Sequence, residues 1–410
     1  MTDIRIAPCD LIYPLEKVLK KDLDKNEDLS TPAQKNSSDI VKFCHKDSHD
    51  RILSEQMLTV ATTPSLHTFF RIEALKELLA FFTAPSSTLL TNNASSIDKQ
   101  KQANELAKNY LKKEILKIGG SIEYISSDAA PLPKPHAQIS LMNSQTFFWQ
   151  NTSGVQFSIQ RDGKNENIVL YGVASQFNGC EATNRFIPKP GTAVATYKTD
   201  PTQGPLAQLQ FPDNQVELIN NAANMGYNGL CNVLNTGVEC GYLTPTSKEE
   251  ADHIIDQLKK SGHKIEFPCI GNIPKGEKNH QTVYQILVAA PAFGYYRWPG
   301  SNVTENQERE IAYLCALHSY RAQFKQAIML AKSNPMKQII FKPTAPGLGV
   351  FGNPVTSVAK AFYCAAIEHK QMLEKHQVKV CLQVFRGRGD SMLMANILEL
   401  KEVKPPILTR

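Results

Sequence analysis

Three glycines, Gly347, Gly349 and Gly352, stand within the run Pro346-Gly347-Leu348-Gly349-Val350-Phe351-Gly352-Asn353-Pro354. An apolar stretch that reads as a buried strand, Gln338-Ile339-Ile340-Phe341, comes before them, and a helical segment starts near Val355. Glycine tolerates φ > 0 and puts no Cβ in a ligand's way. A strand, a glycine turn and a helix N-terminus point backbone N–H groups and a helix dipole at an anion, usually a phosphate. The letters match G-x-G-x-x-G, but Glu368 and Glu374 fall inside the following helix rather than at the end of a second strand, as a dinucleotide fingerprint requires. No Gly-Lys-Ser/Thr closes the turn, so it is not a Walker loop. The flanking elements favour a diphosphate or similar anion. The plainer alternative is a tight turn with no ligand.

Polar groups gather at other strand ends. Ile168–Phe177 runs into Asn178-Gly179-Cys180-Glu181, and Val283–Ala290 into Pro291-Ala292-Phe293-Gly294-Tyr295-Tyr296. Val378–Phe385 runs into Arg386-Gly387-Arg388-Gly389-Asp390. Ligands of open α/β sheets collect at the carboxyl ends of the strands. If the sheet is parallel, one rim carries an amide, two carboxylates, two arginines, aromatics and the glycine turn. A further loop, Tyr197 to Pro205, holds Asp200, Thr202, Gln203 and Gly204. Asp200 suits a catalytic carboxylate and a helix cap equally well. Asn178 could be only a turn residue, Glu181 a surface carboxylate, and Arg386 and Arg388 a solvated pair.

The elements that must position these groups follow from periodicity. Thr146–Trp149, Val155–Gln160, Ile168–Phe177, Val283–Ala290, Lys337–Phe341 and Val378–Phe385 read as strands. Glu249–Ser261, Thr304 to about Lys332, and Val355–His376 read as helices. Strands alternating with helices predict a mostly parallel sheet in an α/β sandwich. Residues 1–60 are polar and read as an arm, and 61–140 as a helical N-terminal region. That region holds one amphipathic segment from Leu66 to Phe82 and another from Leu106 to Ile118, stopped by Gly119-Gly120. Residues 141–400 form the main unit.

Three segments taken together resemble the macrodomain superfamily. They are Ala174-Ser175-Gln176-Phe177-Asn178-Gly179-Cys180-Glu181, then Asp200-Pro201-Thr202-Gln203-Gly204-Pro205, then Gly347-Leu348-Gly349-Val350-Phe351-Gly352-Asn353. The likeness is to a divergent branch associated with arginine-directed ADP-ribosylhydrolases, and covers about 145–400. It implies a macrodomain-like α/β/α sandwich with a mostly parallel mixed sheet. The implied ligand and product is ADP-ribose, with an ADP-ribosylated protein as substrate; no cofactor is expected, and with no His or Cys constellation in the sequence no metal is expected either. The Gly347–Asn353 turn, Val350 included, would hold the diphosphate. Phe351 would lie against the ribose beside the scissile bond, and Asn178 would bond ribose hydroxyls. Gln203 and Gly204 would contact ligand, and Pro291 to Tyr296 would close over the adenine. Glu181 and Asp200 would sit near the anomeric carbon, with Asp390 a third candidate carboxylate. A non-catalytic ADP-ribose-binding module is the alternative. Asn221-Ala222-Ala223-Asn224 looks like a macrodomain strand end, but the glycine run that should follow is missing, so it reads as chance. The glycine and Gln-Glu-Glu signature of poly(ADP-ribose) glycohydrolases is also absent, which speaks against chain trimming.

Composition narrows the classes. The chain of 410 residues carries a net charge of +6, mild enough to suit an anionic ligand without demanding nucleic acid. Basic runs stop at pairs such as Lys20-Lys21, and no basic stripe with interleaved aromatics appears, so no nucleic-acid partner is expected. No window reaches the roughly 18 apolar residues of a membrane span. Nine cysteines without a C-x-x-C argue for a reducing compartment and against a structural zinc or disulfide framework. The expected location is cytoplasmic, and the Lys-, Asn- and Gln-rich composition suits an effector delivered into a host cell by an intracellular bacterium.

Overall fold

The computed structural model describes residues 96–133, 141, 145–152, 155–164, 166–181, 203–234, 238–239, 241–276, 280–293, 302–349, 351–385 and 389–402. The arm, the Leu66–Phe82 segment, the Tyr197–Thr202 loop, Tyr295, Tyr296, Val350, Arg386 and Arg388 lie outside them.

The described chain opens with α1 (Ser96–Lys117) and β1 (Ser121–Ile125). β2 (Phe147–Thr152), α2 (Val155–Asp162) and β3 (Ile168–Ala174) follow, then α3 (Gln203–Gln208) and α4 (Asp213–Asn224). A small ribbon, β4 (Val238–Glu239) and β5 (Tyr242–Leu243), leads to α5 (Lys248–Ser261), β6 (Phe267–Asn272) and β7 (Val283–Val288). The long α6 (Glu305–Ser333) precedes β8 (Ile339–Lys342), α7 (Val355–Lys375), β9 (Lys379–Phe385), α8 (Gly389–Ile397) and β10 (Lys401–Glu402).

Eight strands form one sheet in the order β1-β6-β7-β3-β8-β9-β2-β10. From β7 to β10 every neighbouring pair is parallel, while β6 runs antiparallel to both β7 and β1. The mostly parallel mixed sheet is the one anticipated. It also takes in β1, which lies before residue 141.

The pleat divides the core in two. On β3, Ile168 and Leu170 face a cluster shared with α5, α6, α7 and α8, while Val169, Tyr171 and Val173 face one shared with α1, α2, α3 and α4. Alternation of side chains with period two lets a single apolar strand serve both layers. All of β3 except Ala174 is buried, as a central strand of such a sandwich must be.

The helices are set by local signals. Thr304 accepts from the Gln307 amide while Gln307 reaches back to the Thr304 amide, a full capping box at the start of α6. Ser247 caps α5 through the Glu250 amide. α1 stops at Gly119 (φ +78°), and the Gly120 amide returns to the Ile115 carbonyl. α6 and α7 are joined by Arg321, whose guanidinium makes two 2.7 Å bonds to Glu368 and also donates to the Pro131 carbonyl.

One expected strand is a helix. Val155–Gln160 places Val155, Phe157 and Ile159 at period two, which reads as β. As α2 the segment instead buries Val155, Ser158, Ile159 and Asp162 on one face and leaves Phe157 65% exposed. Val155 and Ile159 satisfy both periods, so packing under the sheet decides between them. Asn221 to Asn224 form the last turn of α4, consistent with a chance match.

Burial pushes the His318 imidazole on α6 from 6.5 down to about 4, with the Arg321 and His263 charges acting in the same direction. Its Nδ1 lies 3.0 Å from Ser127 Oγ. Below its ordinary value the unfolded chain takes up this proton and the folded chain does not. Stability from this group is therefore complete above pH 6.5 and drains as pH falls to about 4. We expect His318 to contribute a loss of roughly 3 kcal/mol across that window. Urea unfolding of wild type and His318→Gln at several pH values should show the shallower slope in the variant.

Candidate functional site

Because β3, β7, β8 and β9 run parallel, their carboxyl ends share one rim. β3 is flanked by β7 and β8. From β3 the chain passes to α3 and α4 on one face, and from β8 to α7 on the other. This is a switch point, where loops diverge and leave a crevice above the strand ends.

Gly347, Gly349 and Gly352 all take positive φ, at +78°, +92° and +63°. The turn closes on itself through the Gly352 amide to the Gly349 carbonyl (2.9 Å) and the Asn353 amide to the Gly347 carbonyl (3.0 Å). Asn353 is 5% exposed, and its Nδ2 donates to the Pro291 carbonyl at 2.6 Å. The Phe293 amide donates to the Phe351 carbonyl at 3.0 Å. A Cβ on Gly347 would stand 2.3 Å from Asn353 Nδ2 and 2.7 Å from Ala290 Cβ, so the turn is seated against the segment after β7. α7 starts at Val355, directly behind it.

The end of β3 is equally tied down. The Ser175 amide donates to Val288 O (2.8 Å) and the Gln176 amide to Cys180 O (2.7 Å). Gly179 turns at φ +80°. Asn178 Oδ1 accepts the Cys180 amide at 3.0 Å, shaping the turn that presents Glu181, and the Asn178 side chain is buried. Glu181 is half-buried. A Cβ on Gly204 would lie 2.3 Å from Glu181 Oε2 and 2.1 Å from Ala174 O. Only glycine lets the first turn of α3 come that close to the strand end. The structure thus brings Asn178, Glu181 and Gly204 together at the end of β3, beside Pro291, Gly347, Gly349, Phe351, Gly352 and Asn353.

Other expected residues are placed differently or not at all. Asp390 is exposed in the first turn of α8, beyond β9. β9 is two strands from β3, a lateral offset of about 10 Å. Asp200 and Val350 lie outside the described residues, as does the Gln203 side chain. Pro291 is buried and serves the turn through its carbonyl. Among the described residues, no three His, Cys, Asp or Glu side chains gather as metal ligands.

Two features of the site escape a reading of motifs. One is the β4–β5 ribbon, which falls in the polar stretch from Gly226 to Thr246. Its Gly241 carbonyl accepts the Phe177 amide (2.8 Å), its Leu243 carbonyl accepts the Ala292 amide (3.0 Å), and the Tyr242 ring meets Phe351. The signal is faint: two residues per strand around Cys240-Gly241. The other is a buried polar group beneath the rim. Lys342, the last residue of β8, donates to Asp162 Oδ2 at 2.5 Å, and the Tyr171 hydroxyl donates to the same oxygen. Burial and the Asp162 charge push the Tyr171 hydroxyl well up. The ion pair fixes the strand end from which the glycine turn departs.

No protein-family model matches the chain, and a search of curated proteins finds no match. Among solved structures, the chain is similar to a mutant macrodomain of Oceanobacillus iheyensis, at 15% identity and a TM-score of 0.30, over 61% of this chain and 89% of that one. It is also similar to the poly(ADP-ribose) glycohydrolase of Deinococcus radiodurans in complex with ADP-ribose, at 12% identity and a TM-score of 0.29, over 75% and 99% of the two chains. At such scores these are likenesses only.

Replacing Asn353 by Ala removes the donor to a buried carbonyl. We expect Asn353→Ala to lose about 1–3 kcal/mol of stability by chemical denaturation. The Gly352 and Phe293 amides should exchange hydrogen faster while those of α6 do not.

Proposed function

We propose that the rim binds ADP-ribose and that the protein hydrolyses the N-glycosidic bond joining mono-ADP-ribose to a protein arginine side chain, without a metal. One observation carries the reading: a turn with three positive-φ glycines leaves a parallel strand at a switch point, in front of a helix N-terminus, and the neighbouring parallel strand β3 runs into the turn that carries Glu181. The three sequence segments resembling macrodomains support it, the first and third of them following the adjacent parallel strands β3 and β8.

On this reading the glycine turn faces the diphosphate, and Phe351 bounds the sugar next to it. Cleavage builds positive charge on the ribose as the C–N bond breaks, which a nearby carboxylate stabilises. Water adds to the anomeric carbon, its proton passes to a carboxylate base, and the guanidine leaves with a proton. Glu181 is held at the end of β3 by the Asn178 turn and by Gly204, which suits it to bind ribose or guanidinium. Asp200, three positions before Gln203, is assigned the water-positioning role. Asp390, exposed on the flank, suits a contact to the modified protein better than to the reacting atoms. The Gly352 and Asn353 amides are used in closing the turn, so phosphate contacts fall to its other amides.

The rival reading is binding without cleavage, in which Asp200 caps a helix and Glu181 takes no part in the reaction. Incubation with an arginine-ADP-ribosylated protein separates the two. We expect free ADP-ribose from wild type and a rate at least about 100-fold lower from Asp200→Ala and Glu181→Gln, with ADP-ribose still bound in calorimetry. Full rate in Asp200→Ala would remove its role. Binding of ADP-ribose without release from any substrate would favour the rival.

A further inference from the structure

We propose that the β4–β5 ribbon is the positioning element for Phe351, acting through the Tyr242 ring, and that it thereby sets recognition of the terminal ribose. This rests on the reading of the rim as an ADP-ribose site.

Three otherwise separate segments converge on this ribbon. The Gly241 carbonyl holds Phe177, and the Leu243 carbonyl holds Ala292. A Cβ on Gly241, at φ +83°, would lie 2.5 Å from Asn178 Cγ, so the ribbon's turn rests directly on that side chain. Among the described residues, Tyr242 is 4% exposed and packs with Ala292 and Phe351 as a cluster separate from both main cores. Its ring meets Phe351 edge to face, with centroids 5.6 Å apart and planes at 74°. Such a contact fixes a ring's tilt as well as its place.

The separation from the main cores matters. The bonds that close the turn run between backbone groups or through Asn353, and the Tyr242 ring meets the Phe351 ring beside them. On this proposal the Asn353 tie serves the diphosphate cradle and the Tyr242 contact serves the tilt of the sugar wall. A ligand with the diphosphate but no terminal ribose should be indifferent to Tyr242.

Calorimetry with ADP-ribose and with ADP, on full-length protein, tests this directly. We expect Tyr242→Ala to weaken ADP-ribose by about 3- to 10-fold, the worth of an aromatic pair, while ADP affinity stays at the wild-type value. Tyr242→Phe keeps the ring and should keep the wild-type preference for ADP-ribose over ADP. Should Tyr242→Ala fail to fold, Tyr242→Leu carries the same expectation. Equal losses for both ligands, no loss for ADP-ribose, or a Tyr242→Phe variant as weak as Tyr242→Ala would each overturn the proposal while leaving the site assignment in place. A wild-type protein that binds neither ligand overturns both.

Discussion

The bond from Asn353 Nδ2 to the Pro291 carbonyl joins the glycine turn to the segment after β7. A turn with three residues at positive φ has weak intrinsic preference for one shape, because glycine populates many. Its shape must be imposed from outside. Asn353 does so from within the protein, buried and aimed across the gap between two strand ends that are not themselves neighbours. β3 lies between β7 and β8, so this single side chain spans the central strand and keeps the crevice above it at one width. Phe293 to Phe351 adds a second tie along the same line. Preorganisation of this kind lets backbone amides meet an anion without first being ordered.

The sheet beneath is braced from both faces at the same place. On one side Lys342 is drawn to Asp162, and on the other the Tyr320 hydroxyl donates to the Thr344 carbonyl at 3.1 Å. The two residues flank the short link from β8 into the turn. Gly172 takes part as well: a Cβ there would meet Gln323 Oε1 at 2.4 Å and the Thr344 amide at 2.9 Å. Polar groups are therefore concentrated below the rim, where a purely apolar core would leave the strand end free to slide.

Much of this was readable from residue order. β3, β7, β8 and β9 announce themselves as apolar runs, and the rule for parallel sheets then brings their ends together. The glycine turn and its positive φ follow from residue types alone. The long α6 shows in a stretch without Gly or Pro, and its capping box is written in Thr304 and Gln307. What could not be read had physical causes. α2 is eight residues long and satisfies both periods. β1 and β6 are joined antiparallel across a long separation in sequence. β4 and β5 have two residues each, too few for any periodicity to register. Of the candidate site, Glu181 and Asn178 stand out by their place after a strand, whereas Tyr242 has no local mark and is singled out only by the Phe351 ring that the fold sets beside it.

The outermost strand, β10, has a consequence for behaviour in concentrated solution. It consists of Lys401 and Glu402, both exposed, laid parallel along β2, and Asn151 Nδ2 donates to Glu402 Oε1 at 3.1 Å. Open strand edges recruit other chains, and brevity and charge are the usual deterrents. β2 is apolar at Phe147, Phe148 and Trp149, and two ionic residues cover the stretch of it that would otherwise invite stacking between molecules. Brevity and charge at this edge of the sheet thus come from a single dipeptide.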